Sequence, residues 1–181
     1  GIARMLAAYG ARVAFTGHYH AQDAVLKRFP DGSFLYDVMT GSLVSTPFVR
    51  LVDIDAGGRM AIRSKPVATL PSFAAAGVDF ARFATTFIRG RLEDVAVQQL
   101  RKRSVPAGDA TALAPQIADT MLANYLGDEH PAGPERLAAK GLGLMGRLVV
   151  LFYRSKIEAL RDDLEPVDHD LGIDLATGEW R

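Results

Sequence analysis

The sequence predicts an α+β fold, with short strands and turns first and helices after. Three observations lead there. Apolar residues alternate with polar ones in short runs up to about residue 66, the mark of half-buried strands. Pro66 and Pro71 then break the chain. Beyond them Phe80, Phe83, Ala84, Phe87 and Ile88 recur at helical spacing and predict a core-facing stripe. The division expected is a first region over 1–66 and a mostly helical extension over 67–181.

Taken in order, residues 2–10 read as a helix stopped by Gly10. Arg12 to Thr16 is a short strand with Val13 and Phe15 on one face. The polar run Gly17 to Asp23 is a loop. Ala24 to Arg28 leads into Pro30-Asp31-Gly32, a strong turn signal. Phe34 to Val38 is a strand ending at Thr40-Gly41-Ser42. Phe48 to Ile54 and Arg59 to Arg63 flank Asp55-Ala56-Gly57-Gly58 and form a hairpin. Thr111 to Leu126 is a helix closed by Gly127. Pro134 to Leu164 is mostly helical, bent near Gly141, Gly143 and Gly146. From Glu158 to Arg181 there are eight acids and two arginines, an acidic tail.

Composition narrows the function classes. The 181 residues carry 21 Lys+Arg and 21 Asp+Glu, so zero net charge gives no nucleic-acid signal. The six basic and two acidic residues between Arg82 and Arg103 read as a solvated helix face, or as a surface that touches an anion or another segment. There is no cysteine, which excludes disulfides, thiolate nucleophiles and zinc–cysteine sites. No apolar run reaches the roughly 20 residues that span a bilayer. The longest, Leu142 to Phe152, is interrupted by Arg147. No export signal is visible, and the compartment stays open.

The sharpest chemical feature is Gly17-His18-Tyr19-His20, directly after the strand Val13 to Thr16. Neutral imidazole is a nitrogen ligand for zinc, manganese and iron. Two such groups on one loop can face two neighbouring ions, or can be surface or hydrogen-bonded histidines. Gly17 permits a sharp turn at the strand end. A two-metal site also needs a bridging carboxylate. Asp23 is a turn residue or an acceptor for a histidine N–H, and Asp37 reads as structural. His130 and His169 sit in polar contexts and are expected to be exposed. Tyr19 packs on the loop or contacts a substrate. Thr40, Ser42 and Ser45 are placed to support the histidine loop by hydrogen bonds.

The stretch Val13-Ala-Phe-Thr-Gly-His-Tyr-His-Ala-Gln-Asp23 resembles the last metal motif of calcineurin-like metallophosphoesterases, a Gly-His-x-His box after a central strand. The block Tyr36-Asp-Val-Met-Thr-Gly-Ser-Leu-Val-Ser45, with Pro47 and Phe48-Val-Arg50, is similar to the strand and turn that follow that box in one bacterial branch. The close match covers about 50 residues. The resemblance implies a partial αββα sandwich over 1–66. It implies that His18 ligates one metal and His20 the other, in a dinuclear Mn, Fe or Zn site of a parent enzyme. The activity implied is hydrolysis of a small-molecule phosphate mono- or diester. In the family, earlier motifs supply Asp-x-His, Gly-Asp-x-x-Asp and Gly-Asn-His-Asp/Glu, and none stands among the sixteen residues before Gly17. Asp128-Glu-His130 follows a helix, comes after the box, and reads as a chance triplet. The expectation is a carboxyl-terminal portion of such an enzyme, inactive alone. The other reading is a non-catalytic binding or structural module that keeps a remnant of the fold. For a sandwich remnant, Phe15, Val38, Val44, Val49 and Ile54 are the candidates for an uncovered apolar face.

Overall fold

The computed structural model describes residues 1–43, 46–127, 137–162 and 164–181. Val44 and Ser45, the Asp128-Glu-His130 triplet and the start of the helix expected from Pro134 lie outside the described residues. The architecture is mixed α+β, with five α-helices and two three-stranded sheets among the described residues. It divides into two compact units, Gly1–Ala81 with Leu164–Arg181, and Arg82–Asp163.

The first unit holds both sheets. Helix α1 (Ile2–Ala8) ends before Gly10, which takes a positive φ of 91°. Strand β1 (Val13–Thr16) runs parallel to β3 (Phe34–Met39), and β2 (Asp23–Arg28) is antiparallel to β3, so the order is β1-β3-β2. The expected Pro30-Asp31-Gly32 turn joins β2 and β3, with Gly32 at φ 80°. Strands β4 (Phe48–Ile54) and β5 (Arg59–Pro66) form the expected hairpin, with Gly58 at φ 77° in its loop.

The third strand of this second sheet is β6 (Asp170–Asp174), paired with β5 through Ile62↔Leu171 and Met60↔Ile173. The extension expected over 67–181 is thus not helical throughout. Its acidic tail returns to the first unit because Leu171 and Ile173 alternate with polar residues and supply the apolar face that β5 needs. The hairpin closes with Gly178 N donating to Asp174 O at 2.8 Å, and Trp180 bridges back to Ile173.

Phe34, Tyr36 and Val38 of β3 and Ala24 of β2 meet Met60, Ile62, Leu171 and Ile173 in one buried cluster between the sheets. On the other face of β3, Leu35 is buried and α1 packs against the strand, its Ala7 buried as well. The layers are helix, sheet and sheet. Of the residues named for an uncovered face, Phe15, Val49 and Ile54 are exposed, at 52 %, 42 % and 59 %. Val38 is instead fully buried in the inter-sheet core. Val49 pairs with Lys65, and so lies on the opposite face of β4 from Ile54 and Val52, which pair with Met60 and Ile62.

A short helix α2 (Pro71–Ala75) precedes α3 (Phe80–Lys102). In the second unit, α4 (Ala107–Leu126) ends at Gly127, at φ 80°, and α5 (Leu144–Glu158) runs into a single 3-10 turn at Ala159–Arg161. The stripe expected on α3 is only half realised. Ala84 is buried, whereas Phe83 and Phe87 stack on each other with 6.1 Å between rings and stay exposed. Arg89 is bound to Asp119 at 2.6 Å and to Glu93, so part of the basic stretch is ion-paired rather than merely solvated.

Asp109 is the polar pin of this unit. Its buried carboxylate accepts from Gly143 N and Gly146 N, both at 2.9 Å, and caps the start of α5. A Cβ on Gly146 would lie 2.8 Å from the Asp109 carboxyl carbon, so glycine is what admits the cap. Replacing Asp109 by Ala leaves these amides unpaired and is expected to cost about 1–3 kcal/mol, read as a lower urea midpoint at unchanged slope.

The tail hairpin carries a hydrogen-bonded carboxylate. Asp174 accepts from Thr177 N at 3.0 Å and Ala176 N at 2.9 Å, and these bonds hold its carboxyl below the ordinary aspartate value. Because the folded value is depressed, its contribution is present above the ordinary value and is lost as pH falls through the lowered one. Asp174→Asn is expected to flatten that acid limb, followed by thermal melts between neutral and acid pH.

Candidate functional site

Because β1 and β3 are parallel, their carboxyl ends open side by side, with Thr16 opposite Met39. Thr40 N donates to Thr16 O at 3.1 Å and carries the pairing one residue further. Two loops then leave together: the histidine loop after Thr16, and the loop beginning Thr40-Gly41-Ser42. Polar side chains placed beyond the carboxyl ends of parallel strands are a common site geometry.

His18, Tyr19 and His20 all reach solvent, and Tyr19 is 70 % exposed. The Tyr19 ring meets the His18 ring edge-on at 5.6 Å, so it packs on the loop. Both histidines have left-handed backbones, with φ 88° at His18 and 61° at His20. For residues other than glycine such conformations cost about 1–3 kcal/mol each and persist only where surroundings enforce them.

The contacts at the His20 end of the loop come from three residues that sequence reading passed over. Thr46 is fully buried, and its hydroxyl donates to His20 O at 3.2 Å, with Ser42 O a second acceptor at 3.4 Å. Gln22 is fully buried, and its Oε1 accepts from Gly41 N at 2.9 Å. Gly41 leaves the space: a Cβ there would fall 1.9 Å from Thr46 Oγ1 and 3.2 Å from His20 O. Of the supports expected from sequence, Thr40 contributes its backbone amide, Ser42 its carbonyl, and Ser45 lies outside the described residues. The available signal was Gly41 itself, a glycine between hydroxyl residues just past a strand.

The other candidates sit elsewhere. Asp37 accepts from Thr16 Oγ1 at 2.6 Å, the structural role expected of it. Asp23 opens β2 opposite Met39. His169, expected to be exposed, is half-buried and lies against Phe48, the rings tilted at 42° with 4.9 Å between them. Among the described residues, no group of three His, Cys, Asp or Glu is close enough to hold a metal ion. His18 and His20 are therefore not part of any such group among the described residues. A cleft of about 430 Å³ at the far hairpin is lined by Asp53, Arg59, Asp174, Glu179, Trp180 and Arg181 among others, and neither histidine borders it.

No protein-family model matches the chain, and no curated protein is significantly similar to it.

Thr46→Val removes the donor to His20 O and is expected to cost about 1–2 kcal/mol. Thr46→Ser keeps the donor and is expected to recover most of that loss. Gly41→Ala is expected to destabilise by about 1–3 kcal/mol through the clash with Thr46. Urea unfolding measures the three, and the His18 and His20 imidazole NMR signals should move in the Val and Ala variants but not in the Ser variant.

Proposed function

We propose that this chain is the carboxyl-terminal part of a calcineurin-like two-metal phosphoesterase, carrying the histidine box of the active site. The observation that carries the reading is the His18-Tyr19-His20 loop, set at the paired carboxyl ends of parallel β1 and β3, left-handed at both histidines and held at the His20 carbonyl by buried Thr46. Strain enforced at exposed histidines is characteristic of ligand-holding loops. The helix–sheet–sheet layering supports the finer reading of a partial αββα sandwich.

The outer flank of that sandwich also supports it. Phe15 continues the core-facing side of β1 after Val13, and Val52 and Ile54 continue that of β4, yet all three are exposed. Both sheets present apolar positions there beyond the end of their shared core. Further strands of a larger sandwich would cover them.

When bound, two divalent cations (Mn, Fe or Zn) supply Lewis-acid stabilisation of charge on a phosphoester. This chain's part is to offer the His18 and His20 imidazoles, with the bridging carboxylate coming from sequence upstream of the box. Alone, it binds metal weakly and does not hydrolyse small phosphate mono- or diesters. The second reading, a non-catalytic module, is favoured by the lack of a completed ligand group among the described residues.

Titration with Mn²⁺ and Zn²⁺ by calorimetry separates the two. Weak binding that disappears in the His18→Ala, His20→Ala double variant is the expected result. Equal binding by the double variant, or none by the parent chain, favours the non-catalytic module. The upstream coding sequence is a second check: it should encode Asp-x-His and Gly-Asp-x-x-Asp.

A further inference from the structure

Helix α5 is apolar on two opposite sides. Its inner side buries Gly146, Val149 and Val150. Its outer side carries Leu144, Leu151 and Phe152, at 76 %, 70 % and 67 % exposure, with Met145 and half-buried Leu148 beside them. The spacing 144, 148, 151, 152 makes this a stripe roughly two to three turns long. A helix apolar on both sides has two faces to remove from water, and the second unit's core covers one.

The charges beside the stripe identify the occupant. On the helical wheel, Arg147 and Arg154 fall along one border and Lys156 along the other. The acid on this border, Glu158, is bound to Arg154 at 2.8 Å. A two-fold dimer through this stripe would bring one copy's flanking cations towards the same cations of the other. A lipid–water interface fits both features: acyl chains receive Leu and Phe, and anionic headgroups receive Arg and Lys. No helix among the described residues is long and apolar enough to cross a membrane, so α5 would lie in the interface plane.

We propose that the outer face of α5 docks on an anionic membrane surface, with Leu144, Leu151 and Phe152 inserted and Arg147, Arg154 and Lys156 at headgroup level. This is independent of the phosphoesterase reading.

The test is co-sedimentation of the full chain with phosphatidylcholine vesicles, with and without phosphatidylglycerol. Binding to the anionic vesicles alone is expected, weakening as salt is raised. The Leu151→Ser, Phe152→Ser double variant should bind at least about tenfold less, since two apolar anchors are lost. Arg147→Glu with Lys156→Glu should weaken binding comparably. The chain has no cysteine, so a second readout is independent of these variants. An environment-sensitive fluorophore on Leu151→Cys should shift to the blue with anionic vesicles, while the same label on Thr111→Cys, on the exposed part of α4, should not. Absence of vesicle binding by the parent chain overturns the proposal. So does binding that ignores lipid charge, or an unshifted label at 151. Concentration-dependent dimerisation abolished by the double serine variant, without vesicle binding, overturns it in favour of a second copy.

Discussion

The guanidinium of Arg50 ties together segments that lie far apart in the chain. It donates to Met39 O at 2.7 Å and to Asp168 O at 2.6 Å. The Asp168 carboxylate, itself buried, accepts from Ala24 N at 2.7 Å. One hydrogen-bonded hub thus joins β4 to the end of β3, the start of β2 and the approach to β6. Charge-assisted bonds of this kind are strong, and a buried carboxylate left without them would be costly. The hub also fixes where the tail re-enters the first unit. Leu171 and Ile173 follow within five residues of Asp168 and fill the inter-sheet core. At the other end of the tail hairpin the Tyr36 hydroxyl donates to Gly178 O at 2.9 Å, so the returning segment is held on both sides of its strand.

The same hub reaches the histidine loop through the backbone. Met39 is the last residue of β3, and the next two residues are Thr40, paired to Thr16, and Gly41, held by Gln22. A shift of Met39 would move Gly41, and with it the space that lets Thr46 reach His20 O. The position of the His20 carbonyl is therefore set in part by sheet packing. At His20 this gives a left-handed residue on an exposed loop a carbonyl anchored by a buried group.

Much of the first unit was legible in the sequence. Alternation marked β1, β3, β4 and β5, and Gly32 and Gly58 marked their turns, because these signals are local. The return of the tail was not legible, because its acids outnumber its two core residues, and β6 is specified by pairing with Ile62, more than a hundred residues earlier. The histidine pair was visible as a motif, but its support was not. Thr46 lies beyond the hydroxyl residues that seemed placed to help, and Gln22 reads as a loop polar until its burial is known. The half-exposed stripe on α3 misled for a related reason. Periodicity reports that a face is apolar, not what covers it, and Phe83 and Phe87 stack on each other while staying exposed.

The two units differ in how their apolar surface is left open. In the first, Phe15, Val52 and Ile54 are exposed on edge strands, where apolar side chains lie beside a free sheet edge, and under the proposed reading further strands would cover them. In the second, the outer stripe of α5 lies on a helix whose backbone hydrogen bonds are already made within it. Nothing there asks for strand pairing, and a fluid apolar phase satisfies it as well as another protein would. The cations along its borders then weigh the choice, since they gain where phosphate is dense and lose against a copy of themselves. Under these readings the chain has two incomplete surfaces with different remedies, further strands for the sandwich and a lipid interface for the helix.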